Sequence, residues 1–254
     1  MVGRTMLLHN LHRFRLVTFD MTETLIGFRR APAVQYAKTA AQLGVYDIDQ
    51  NKLQQCFKKE FKAIEQRHPN FGLHSPNFTW QDWWSQLVCN IFHCVDPHIK
   101  EEKLKELSDT LIKIYRTREC WHHMKGGQEL VKSVRNAGKK IGVISNSDPS
   151  LQEVLKEMNL YDKFDFILTS YEAGYQKPHK NIFQKALDVY KVQPHEALHV
   201  GNTYEIDYVG ARDAGWSSLL ITPDELDLQK VSPTQGYKNI ADLLAALDNK
   251  EIRW

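Results

Sequence analysis

The stretch Leu16-Val17-Thr18-Phe19-Asp20-Met21-Thr22-Glu23-Thr24-Leu25 decides how this chain is read. A short apolar run with two β-branched residues stops abruptly at an aspartate, as a buried parallel strand does where its carboxyl end opens onto a loop. Comparable runs lie at 140–144, 164–168, 197–200 and 217–221. The first three of these end at Ser145-Asn146, Thr169-Ser170 and Gly201-Asn202. Helical patterns fall between them, at about 126–138, 149–158, 179–191 and 204–214. Strands alternating with helices of this length imply right-handed βαβ crossovers, hence an α/β fold whose parallel sheet is covered on both faces. Ligands of such sheets gather at the carboxyl ends of the strands, so the polar residues found there belong to one candidate site.

Between the first and second of these strands the pattern changes. Amphipathic helices are predicted over 34–43, 52–66, 80–92 and 101–115, with no strand among them. An all-helical insert in this place is expected to be a cap, giving a core of residues 1–30 and 116–254 and a cap of residues 31–115. Trp80, Trp83, Trp84 and, at its exit, Trp121 are expected to form the cap's own core, with ligand stacking as the alternative reading.

Composition bounds the rest. A chain of 254 residues holds one large domain, or a core and a small insert. Lys and Arg total 33 against 31 for Asp and Glu, so no global charge argues for nucleic acid. No apolar run approaches the ~18 residues of a membrane span. Cys56, Cys89, Cys94 and Cys120 form no CxxC pair, and reduced thiols in a cytoplasmic or nuclear setting are expected. Arg4, Arg13 and Arg15, in a leader free of acids, superficially resemble a mitochondrial presequence. That basic stretch runs straight into the first strand, which argues against import. Cys89, His93, Cys94 and His98 approximate a metal spacing, but adjacent His93 and Cys94 face different ways on a helix, so zinc is not expected. His122 and His123 are read as linker residues.

Four signals at strand or loop ends occur in a fixed order: Asp20 to Leu25, Ser145-Asn146, Lys177-Pro178, then Gly201-Asn202 followed by Asp207. Singly each is weak, since an aspartate after a strand is more often a turn or cap residue. Together, the set resembles the four motifs of the haloacid dehalogenase (HAD) superfamily, and the helical insert resembles its C1 cap. Pro69-Asn70-Phe71-Gly72, Trp80 with Trp83-Trp84, and Cys120-Trp121 resemble one eukaryotic subgroup, the HAD-like hydrolase domain-containing protein 3 and rhythmically expressed gene 2 proteins.

The resemblance implies roles. Asp20 would be the nucleophile, its carboxylate attacking a phosphoryl group to form an aspartyl intermediate. The loop of Met21 and Thr22, with Ser145 and Asn146, would hold the phosphoryl oxygens. Lys177 would set a positive charge against Asp20 and the substrate, and Thr24 would brace the loop. Asp20, position 202 and Asp207 would bind Mg²⁺. Arg29 and Arg30 would meet an anionic substrate or stay solvated at the hinge. The substrate class implied is a small phosphorylated molecule.

Two departures temper this. Thr22 stands where the superfamily usually has a general acid–base aspartate, which forfeits the ~100- to 10,000-fold help such a group gives. Glu23 is adjacent but is expected to point elsewhere. Asn202 replaces the usual metal-ligand aspartate, and Mg²⁺ prefers carboxylate oxygens. That leaves Asp20 with Asp207 or Glu205 to hold a weakened metal, and Asp207 alternatively accepts hydrogen bonds from Lys177 or loop amides. Three functions stay open: a weak phosphatase-type hydrolase, an inactive scaffold that binds a phospho-ligand or a protein partner through the cap, and a metal-free dehalogenase-like enzyme. Against the last, Phe183 stands where those enzymes are expected to carry a tyrosine, and no halide-binding arginine is evident.

Overall fold

β1 (Leu16–Phe19) is buried along its whole length because it lies between two parallel neighbours, β4 (Lys140–Ser145) and β6 (Ala197–Gly201). Outside these lie β5 (Phe166–Thr169) next to β4, then β7 (Ser217–Ile221) and β8 (Gly236–Tyr237) beyond β6. All five pairings of this six-stranded sheet are parallel. The crossovers diverge on either side of β1, so the crevice for a ligand opens after β1, β4 and β6. The structure is a computed structural model and describes residues 7, 9–249 and 252–254. Arg4 lies outside the described residues.

The chain divides into two units. The core unit holds the described residues up to Gly27, then His123–Asn146 and Asn159–Trp254. In it α5 (Gly127–Asn136) and α7 (Lys180–Tyr190) pack against β4. Their apolar stripes face the sheet; Ile182, Phe183, Ala186 and Leu187 join Leu16 and Ile144 in one buried cluster.

The helical unit holds Phe28–His122 and also Ser147–Met158, which carries α6 (Leu151–Glu157). Its helices are α1 (Pro32–Gln42), α2 (Gln50–Arg67), α3 (Trp80–Val95) and α4 (Glu101–Ile114). Thr79 starts α3 through a capping box with Asp82. Trp83 is fully buried against Phe61, Phe71 and Trp84, a core role, and Trp84 donates its indole N–H to Asp148.

Two expectations change, and three short strands add to the fold. β5 begins at Phe166 rather than Phe164, because the Asp165 side chain accepts from the Ile141 N–H at 2.9 Å and stands in for a ladder carbonyl. The two-stranded pair of β2 (Ile26–Phe28) and β3 (Trp121–His123), and β8, are too short to show alternation. The cysteines are not all reduced: Cys56 on α2 and Cys94 on α3 form a disulfide, with Cα atoms 6.0 Å apart. These helices pack together across a separation of 38 residues, which local spacing conceals. The compartment argument from reduced thiols therefore falls away. Breaking the bond with Cys94→Ser, or by reduction, is expected to cost about 4 kcal/mol from loop-closure entropy, read as a lowered urea midpoint. An unchanged midpoint would contradict it.

Candidate active site

Asp20 sits at the carboxyl end of β1, where the chain turns sharply. The N–H groups of Leu25 and Ile26 both return to the Met21 carbonyl, and Glu23 takes a left-handed conformation with its N–H on the Ile26 carbonyl. This folds Thr24 back so that its hydroxyl lies 3.3 Å from both Asp20 Oδ2 and Asn202 Oδ1. Glu23 is exposed, Thr22 is partly exposed and Met21 is buried.

Lys177 is the centre of the site. Its ammonium has three protons and three acceptors: Asp20 Oδ1 at 2.8 Å, the Ile144 carbonyl at 2.8 Å and Asp207 Oδ1 at 2.7 Å. Its backbone is gripped by the Asn146 side chain, which accepts from the Lys177 N–H at 2.7 Å and donates to the Lys177 carbonyl at 2.9 Å. Asn146 therefore spends one amide proton and its oxygen on the lysine, leaving one proton for a ligand. Ser145 is buried at the end of β4. Arg29 belongs to the helical unit, where it is exposed and donates to the Trp121 carbonyl.

Asp207 comes from a π-helical turn, Tyr204–Val209, where a uniform helix over 204–214 was expected. Its Oδ2 accepts from the N–H groups of Asn202 and Thr203, and its Oδ1 accepts from Lys177 and from His199 Nε2 at 3.2 Å. Gly201 makes this possible, since a Cβ there would lie 2.3 Å from Asp207 Cγ. His199, in the middle of β6, belongs to none of the motifs read from the sequence.

The donor set does not fit a resident Mg²⁺. Both Asp207 oxygens are taken by four donors, position 202 offers a neutral amide, and Asp20 Oδ1 is held by Lys177. A hard cation with reluctant dehydration needs freer carboxylate oxygens than these. Among the described residues no cluster of three His, Cys, Asp or Glu side chains is arranged for a metal. Cys94, in the disulfide, is also unavailable to the zinc spacing considered above.

Burial sets the charges apart. It pushes the Asp20 carboxyl up to about 6, against the opposing pull of Lys177. Asp207 is buried as well, but the Lys177 charge and the His199 hydrogen bond outweigh burial and hold it well below the usual carboxylate range. Burial lowers Lys177, yet the charges of Asp20 and Asp207 prevail and raise it. Burial lowers His199, outweighing the opposing hydrogen bond to Asp207. Asp20, raised in the fold, contributes stability below its unfolded value of about 4 that is lost as pH climbs through about 6. Asp207, lowered in the fold, contributes stability above about 4 that is lost in stronger acid. Wild type is thus expected to lose melting temperature relative to Asp20→Asn between about pH 4 and 6, and the gap to level off above about pH 7. A gap independent of pH would contradict the assignment.

The relatives agree with this architecture. A family model for haloacid dehalogenase-like hydrolases matches residues 14–215. The chain is similar to the rhythmically expressed gene 2 protein of Drosophila melanogaster, 38% identical over 222 residues covering 84% of this chain and 85% of that protein. It is also similar to haloacid dehalogenase-like hydrolase domain-containing protein 3 of Homo sapiens, 32% identical over 240 residues covering 93% and 94%. Among solved structures, magnesium-bound YfnB of Bacillus subtilis superposes with a TM-score of 0.70 at 18% identity, covering 92% of this chain and 99% of that one. A 2-haloacid dehalogenase of Pseudomonas syringae gives 0.61 at 23% identity, covering 92% and 98%. At such identities these two speak for the fold alone. No described helix is long and apolar enough to cross a membrane. By family model, relatives and fold together, the chain belongs to the haloacid dehalogenase-like hydrolases.

Proposed function

We propose that this protein is a slow nucleophilic-aspartate hydrolase of small phosphorylated molecules, acting through Asp20. One observation carries the reading: a buried Lys177 ammonium 2.8 Å from a buried Asp20 carboxylate, at the point where the sheet's crossovers diverge. In the first step an Asp20 oxygen forms a bond to phosphorus and the bond from phosphorus to the leaving oxygen breaks. In the second, water attacks the same phosphorus, phosphate departs and the carboxylate is regenerated. Ser145, the remaining amide proton of Asn146 and the N–H groups of the Met21-Thr22 loop are the donors proposed for the phosphoryl oxygens, while the Lys177 ammonium, its three protons held by Asp20, Ile144 and Asp207, acts on them through its charge. Thr22 supplies no proton, so the leaving oxygen must take one from solvent. Substrates that leave as weak bases, such as acyl and aryl phosphates, are therefore favoured over alkyl esters.

A second reading is supported by the same Thr22 and by the occupied Asp207: an inactive scaffold that holds a phospho-ligand or protein partner. The dehalogenase reading gains nothing here, because Phe183 is fully buried edge-on against His199 and Trp216. The test is a panel of acyl, aryl and alkyl phosphates, with and without Mg²⁺. Wild type, Asp20→Asn and Thr22→Asp/Asn202→Asp are compared. Slow wild-type turnover lost in Asp20→Asn, and raised about 100-fold or more with a new Mg²⁺ requirement in the double variant, is expected. A wild type without turnover, with activity restored in the double variant, would favour the scaffold.

A further inference from the structure

A line of buried polar groups runs back from Asp20 into the middle of the sheet. Thr18 and His199 face one another in the register of β1 and β6. Both are fully buried, in strands that are otherwise mostly apolar. Strand alternation puts Asp20 on the same face as Thr18, and Gly201 on the same face as His199. The vacancy of a side chain at Gly201 is filled by Asp207. The Thr18 hydroxyl lies 2.8 Å from His199 Nδ1, with a longer 3.5 Å alternative at the Leu198 carbonyl. His199 Nε2 lies 3.2 Å from Asp207 Oδ1, the oxygen that also holds Lys177.

The acceptors of Asp207 set the polarity at its end of this line. Asp207 accepts from Lys177 and from two backbone N–H groups, so as a carboxylate it can only accept from His199 as well. Nε2 therefore carries a ring proton, and in the neutral ring Nδ1 accepts from the Thr18 hydroxyl. We infer that His199 is a positioning residue, which, braced by Thr18, fixes Asp207 and thereby the direction in which Lys177 meets Asp20. Two of the three Lys177 protons go to Ile144 and Asp207. Their directions dictate where the third one points. An Asp207 free to rotate would draw the ammonium out of line, since small misplacements of reacting groups carry large rate penalties. The inference rests on Asp20 being the nucleophile for its effect on rate, but not for its tautomer.

The experiment pairs nitrogen-15 NMR of the full chain with kinetics on an aryl phosphate. His199 is expected as the neutral Nε2–H tautomer at pH 7, with a slowly exchanging ring proton. His199→Leu is expected to lower kcat about tenfold or more with KM little changed. His199→Gln, whose amide can donate where Nε2 did, is expected to return most of the loss. A merely packed histidine predicts no such split and no recovery with glutamine. An Nδ1–H or doubly protonated ring, or a folded His199→Leu with wild-type kcat, would overturn the inference. Should wild type turn over nothing, the hydrolase reading fails, and the tautomer alone decides this one. The same holds if His199→Leu does not fold.

Discussion

Lys177→Met is expected to destabilise the protein by about 3–5 kcal/mol at pH 7 and to abolish turnover. The loss follows from what the ammonium separates. Asp20 and Asp207 are both buried, and Lys177 lies within 2.8 Å of each. Removing one partner of a buried ionic network leaves the others charged and uncompensated, which is far costlier than replacing the whole network with apolar groups. The Asp20 carboxyl, already pushed up to about 6, would rise further and take a proton near neutrality. The deficit is therefore expected to shrink toward pH 5, and Lys177→Met/Asp20→Asn to recover about half of it. Urea unfolding of the three proteins at both pH values checks this. A single-variant loss below about 1 kcal/mol, the range of exposed pairs, would mean that the network is far more solvated than its geometry indicates.

Gly201→Ala is the second large effect, and it removes no charged group. The added Cβ would stand 2.3 Å from Asp207 Cγ and 2.5 Å from its Oδ2. Asp207 must move, and with it the hydrogen bonds to Lys177, His199, Asn202 and Thr203. Overpacking and loss of buried partners together point to roughly 3 kcal/mol. Turnover is expected to fall about 100-fold, since the lysine loses its fixed direction. Thermal melts and aryl phosphate kinetics read both. Gly201→Ala with wild-type stability would show that Asp207 has another place to go.

Much of the fold was legible because its strands are continuous apolar runs and its helices carry clear stripes. β1, β4, β6 and β7 fall where such runs predict them, and the four long helices of the helical unit begin and end within a few residues of expectation. What escaped was short or non-local. β2, β3 and β8 have two or three residues each, too few for a period to register. The Cys56–Cys94 bond depends on how two helices pack, information that no spacing holds. The strand runs and helical patterns above stop at residue 221, although β8 and then α8 (Ile240–Asn249) follow. At the site, motif order found the groups at strand ends but not His199, which lies inside a strand. A signal for it existed: a histidine within Ala-Leu-His-Val, two residues before Gly201, and a threonine at Thr18, two residues before Asp20. Polar residues in mid-strand, on the faces that lead to the site, need partners when buried. Nor could sequence decide between metal binding and hydrogen bonding at Asp207, because that depends on which donors the π-helical turn brings to its two oxygens.

The most direct measurement is to mix the protein with an aryl phosphate, quench in acid within a turnover, and map the modified peptides by mass spectrometry. Acid preserves an aspartyl phosphate that water would otherwise hydrolyse. A phosphoryl group on Asp20, absent from Asp20→Asn, is the predicted result. Product release with no phosphoryl group ever found on Asp20 would contradict the nucleophilic role on which the functional reading stands.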